Sequence, residues 1–113
     1  MRTITRATDL PGSDAQVVEV VGVYAIVELG RYRMVSQRPD GSTAMSNRLG
    51  AVTLDDGTWI GLGVRDDDEH ALAGRRVRVR GTLMEAWPPR QPPHVAQPDP
   101  TPALLDITLV EPL

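Results

Sequence analysis

Cysteine, lysine and phenylalanine are all missing from this chain of 113 residues. Without cysteine there is no disulfide framework, no thiolate nucleophile and no cysteine-ligated zinc. Without lysine there is no Schiff-base or ammonium chemistry, and the basic complement is arginine throughout, a choice that codon bias explains as well as function does. Aromatic residues make up only 4% of the chain, two tryptophans and two tyrosines, so an extended base-stacking surface has few residues to draw on. No run approaches the roughly 18 apolar residues that span a membrane, and the N-terminal residues lack the apolar centre of a secretory signal. The expectation is a cytoplasmic soluble protein without a membrane partner.

The length suits one domain with one core. A net charge of -3 argues against a dedicated nucleic-acid binder, whose surface is normally basic. Residues 1–14 form a leader, closed by the turn cluster Pro11, Gly12 and Ser13, that is either frayed or a short edge strand. From Gln16 to Leu29 the chain is dense in β-branched residues. That reads as one long strand, bending at Gly22 so that its two ends pair with different neighbours. Residues 30–50 form a long loop or hairpin around Pro39, Asp40 and Gly41. Its Arg31, Arg33, Arg38 and Arg48 outweigh Asp40.

Between Gly50 and Val64 burial decides the hairpin register. A loop of Asp55, Asp56 and Gly57, with Gly57 left-handed, sets Leu54 against Thr58 and Val52 against Ile60. Val52, Leu54, Ile60, Leu62 and Val64 then share one face, and Trp59 points to the other with Thr53, Gly61 and Gly63. An acidic run, Asp66 to Glu69, opens a short helical turn over Asp68–Leu72 that stops at Gly74. Beyond it Val77, Val79, Gly81 and Leu83 alternate with Arg76, Arg78, Arg80 and Thr82, a strand with an apolar face and an arginine face. Residues 84–103 hold seven of the ten prolines and read as a stiff, extended loop. A closing strand turns Leu105, Ile107 and Leu109 inward.

The order of a long bent strand, a hairpin, a short helix and two further strands resembles the OB-fold over roughly residues 15–111. The resemblance implies an all-β, five-stranded Greek-key barrel with one short helix between its third and fourth strands. An SH3-like barrel has no comfortable place for that helix. OB-folds bind on the face of strands two and three, flanked by two loops. The resemblance therefore implies that Trp59, Tyr32, Arg33, Arg38, Trp87 and Arg90 lie on one side of the molecule as a partner-binding surface.

Each feature has a plainer reading. Trp59 also suits a cover over the barrel's edge or packing under the proline-rich loop. Arg31, Arg33, Arg76, Arg78 and Arg80 suit a phosphate-tracking stripe. The last three equally suit a solvated strand face whose arginines pair across the sheet or with Asp66–Glu69. The acidic run lacks the spaced oxygen ligands of a calcium loop, and His70 and His94 lack the spacing of a metal helix. None of the four serines sits in a nucleophile elbow. No catalytic residue, metal ligand or cofactor is assigned. The expectation is a non-enzymatic protein-interaction module, an adaptor, inhibitor or immunity-type accessory protein. Single-stranded nucleic-acid binding is the alternative.

Overall fold

A computed structural model describes residues 1–28, 30, 34–37, 41–87 and 101–113. The strand with the clearest alternation runs Arg76–Trp87, with Val77, Val79 and Leu83 wholly buried. It is one of eight strands in the described residues: β1 Arg2–Ile4, β2 Val17–Glu28, β3 Met34–Gln37, β4 Thr43–Ser46, β5 Arg48–Thr53, β6 Trp59–Gly63, β7 Arg76–Trp87 and β8 Thr101–Pro112. A short α-helix, α1, spans Asp67–His70 between β6 and β7, and a single 3-10 turn spans Ala7–Asp9 after β1. Six strands form a single sheet in the order β1-β2-β5-β6-β8-β7, and β7 also pairs with β2. The count differs from five because the leader contributes β1. The pair β3–β4 makes a separate two-stranded sheet, and the turn expected at Pro39 and Asp40 lies outside the described residues.

β2 works as a shared strand. Its first half pairs with β7 from Val17 to Val23, and its second half with β5 from Val23 to Glu28. The handover falls beside Gly22, where a Cβ would collide with the carbonyl oxygen of Thr53 and stand 2.7 Å from Val52 Cγ1. Only a residue without a side chain lets the strands approach this closely.

The β5–β6 hairpin has the register that burial requires. Val52 pairs with Ile60 and Thr53 with Trp59, and the amide of Leu54 donates to the carbonyl of Thr58 at 2.6 Å. Gly57 takes a φ of +87°, which an L side chain resists. Val52, Leu54, Ile60 and Leu62 enter the core, while Val64 stands past the strand end and is half-buried. Gly74 closes the turn after α1, and its amide donates to the carbonyl of Tyr24.

The leader is not frayed: it forms a short edge strand, β1. β1 runs parallel to β2, Arg2 beside Val18 and Ile4 beside Val20, and it buries Ile4 completely, with Leu10 behind it. The Asp9 carboxylate accepts from the amides of Thr5 and Arg6, and Asp56 of the hairpin loop accepts from the amide of Ala7 at 2.8 Å. Asp9 is held below the ordinary carboxylate range, first by the Thr5 amide. Asp56 is lowered too, first by the Ala7 amide.

Two expectations change at the closing strand. β7 runs on to Trp87 and β8 starts at Thr101, so both ends of the segment expected as a loop over 84–103 are strand. The inward residues of β8 also differ. Ile107 packs on the core as expected, but Leu104 and Val110 take the inward places expected of Leu105 and Leu109. Leu104 and Val110 lie opposite the buried Leu83 and Val79, whereas Leu105 and Leu109 lie opposite Thr82 and Arg80 on the outer face. Both sets of alternate positions are apolar, so the pairing decides which faces in. Between them a bulge of two extra residues, with Asp106 at a φ of +50°, leaves that phase unchanged on either side and lets Ile107 reach the core.

Candidate functional site

Trp59 opens β6 on the outer face and is 40% exposed, the fate of a large apolar side chain on the wrong side of its strand to reach the core. Its ring leans along β6, with Cζ3 3.7 Å from where a Gly61 Cβ would stand. Across the hairpin it faces Thr53, and Thr53 in turn pairs with Val23, which is exposed. On its other side β6 pairs with β8 through Gly61 and Ala103. These strands are parallel, so Trp59 and Thr101, each two residues earlier, stand at the same level. Thr101 pairs in turn with Trp87 of β7. Val23, Thr53, Trp59, Thr101 and Trp87 therefore form one row across four junctions of the outer face.

Trp87 joins that row because β7 carries a bulge of its own. Met84 pairs with Ala103 and Trp87 with Thr101, three residues of β7 against two of β8. Under strict alternation from buried Leu83, Trp87 would face inward. The inserted residue turns it out. The leader supports the bulge: Asp14 accepts the amide of Glu85 at 2.8 Å, and the amide of Ala15, at a φ of +61°, donates to the carbonyl of Leu83. A non-glycine residue in that region is strained and is held there by its surroundings.

The arginine ladder lies on the outer face of the same strand, as the alternation implies, and is engaged by carboxylates. Arg80 Nη2 donates to Glu19 at 2.7 Å and Arg78 Nη1 to Glu111 at 3.1 Å, with Arg78 Nε 3.8 Å from Glu19. Arg76 Nη1 donates to Asp55 at 3.2 Å. The Arg80 hydrogen bond is the main reason that the Glu19 carboxyl lies below its ordinary range. These partners sit across the sheet and in the hairpin loop, not in the acidic run Asp66–Glu69. Glu69 is taken instead by Arg65, whose Nε and Nη2 grip both carboxylate oxygens at 2.8 and 2.9 Å. The buried Tyr24 hydroxyl also donates to it at 2.7 Å. Burial first, and that bond second, push the Tyr24 phenol well above its usual range. The cluster fastens α1 to β2.

Of the residues expected at the contact surface, Trp59 and Trp87 come together on one face. Tyr32, Arg33, Arg38 and Arg90, with Arg31 of the nucleic-acid alternative, lie outside the described residues. Sequence reasoning placed Thr53 beside Trp59 but missed Val23 and Thr101 as members of the row. Their proximity depends on pairings between distant segments. Among the described residues no three of His, Asp and Glu gather as a metal site, and no helix is long and apolar enough to cross a membrane. Compared with family models, curated proteins and solved structures, the chain matches none.

Proposed function

We propose that the chain is an OB-like Greek-key barrel of β2, β5, β6, β8 and β7, edged by the leader strand. In this reading it works as a small non-enzymatic protein-interaction module of the cytoplasm, an adaptor, inhibitor or immunity-type accessory protein. The barrel reading rests on a cycle of pairings, β2–β5–β6–β8–β7–β2. Followed from Arg76 through Val23, Thr53, Trp59 and Thr101, the row returns to β7 at Trp87 rather than at Arg76. That stagger is what tilted strands need in order to close. The helix between β6 and β7 and the order of the strands agree with the OB pattern, a fold-level analogy that leaves function to the site.

One observation carries the functional reading. Among the described residues the row keeps Val23 and Trp59 exposed and Thr53, Thr101 and Trp87 half-buried, whereas Arg76, Arg78 and Arg80 already have carboxylate partners within the chain. Exposed tryptophan is favoured as an interface anchor. Arginines held by carboxylates gain less from a phosphate, because an existing ion pair must first be broken. The absence of cysteine, lysine and any nucleophile elbow supports a role without catalysis.

Titration of labelled single-stranded DNA and RNA at low and at moderate salt tests this against the nucleic-acid reading. The expected result is no binding at either salt. Salt-sensitive binding that weakens in Trp59→Ala overturns the proposal.

A further inference from the structure

Trp59 and Trp87 stand on β6 and β7 with only β8 between them. Two strand spacings separate their backbones by about 9.6 Å. A polyproline II helix repeats every three residues and advances about 9.3 Å in doing so. Between the tryptophans the described backbone carries Thr101, half-buried, and Ala103, buried, on β8, with Gly61 beside them on β6. Aromatic side chains spaced to meet successive proline ridges are the usual means of docking such a segment, which arrives already extended and loses little entropy on binding.

Charge favours one sign of ligand. At the Trp87 end, Glu85 is exposed and makes no ion pair among the described residues. At the Trp59 end are Asp56, held by the amides of Ala7 and Thr58 and by the Thr58 side chain, and Asp55, held by Arg76. The carboxylates Glu85, Asp55 and Asp56 outnumber the described cations beside them, Arg76 and Arg6. Building on the protein-interaction reading, we infer that the Trp59–Thr101–Trp87 row docks an extended, proline-containing peptide with two prolines three residues apart and basic residues flanking them. Each tryptophan takes one proline, and Glu85 and Asp56 face the flanking cations.

Calorimetric titration of the full chain with a synthetic arginine-flanked Pro-Ala-Ala-Pro peptide tests the inference. Two comparators hold composition or spacing fixed: the same residues with the prolines adjacent, and a glutamate-flanked version. Saturable binding is expected, at least tenfold weaker for each comparator. Trp59→Ala and Trp87→Ala each weaken it tenfold or more, and Trp59→Phe and Trp87→Phe retain part of it. Circular dichroism of each variant checks that the fold persists. Absence of saturable binding, equal affinity for all three peptides, or undiminished affinity in both folded alanine variants overturns the inference. The broader reading fails separately: salt-sensitive binding of oligothymidine lost in Trp59→Ala overturns both, whereas failure of the peptide and of the oligonucleotide together overturns only the peptide assignment.

Discussion

The outer face of β7 carries two regions of opposite character on one strand. Toward its start, Arg76, Arg78 and Arg80 each meet a carboxylate from another segment, so the cost of ordering those side chains is offset inside the molecule. Toward its end, past Met84, a bulge turns Trp87 outward into a row with Thr101 and Trp59, none of which is charged. The first region is a finished surface and the second an unfinished one. A basic segment in a sequence is therefore a poor guide to a binding site until its partners are known. Two lone tryptophans 28 positions apart come onto one face instead.

The comparison can be broken or sharpened by substitution. The largest effect is expected at Gly22→Ala, because β2 supplies Glu19 to the ladder and Val23 to the row, and the added methyl meets backbone that cannot yield. A loss of about 3 kcal/mol or more in urea unfolding is expected, removing both regions together. A loss below about 1 kcal/mol would show that the strands slide apart without cost.

Tyr24→Phe removes the hydroxyl that ties β2 to Glu69 and lies beneath neither region. A cost of about 1–2 kcal/mol is expected, with the ladder and the row both intact. The same phenol gives a pH dependence. Its folded pKa lies above the unfolded value of about 10, so its contribution is complete below about pH 10 and is lost as pH rises beyond it. Spectrophotometric titration should find one of the two tyrosines ionising only as the chain unfolds.

Acid distinguishes the regions directly. The Glu19 carboxyl is lowered in the folded chain, so its contribution is present above the unfolded value of about 4.3 and fades as pH falls through the folded value. Glu19→Gln should lower the melting temperature at pH 7 and flatten the acid limb of the stability profile. An unchanged acid limb would mean that the ladder contributes nothing. The smallest effect on stability belongs to Trp59→Ala, about 1 kcal/mol or less by thermal melting, since the ring is 40% exposed. A larger loss would make Trp59 a structural cover and would close the comparison in favour of the plainer reading.

Much of the fold was legible because it rests on local patterns. The alternation of β7, the bend at Gly22 and the hairpin register through Gly57 each follow from a few adjacent residues. The candidate site was legible only in part. Trp59 was placed outward by the hairpin register. Trp87 was assigned to the proline-rich loop, because proline content marks where a strand cannot continue but not how far it runs first. Of the inward residues of β8, Ile107 was placed correctly, while Leu105 and Leu109 were misassigned because Leu104 and Val110 offer an equally apolar alternate face and only the pairing chooses between them.

The sequence by itself determined the main strands and which residues of β6 and of β7 up to Leu83 face the core, because side-chain alternation is a property of a strand alone. Only the tertiary structure decided which outward residues became neighbours. Glu19 meets Arg80 across 61 positions of chain, and Trp59 stands level with Trp87 through a third strand. Those meetings depend on the closure of the pairings and on two bulges, which are settled by the packing of all the strands at once.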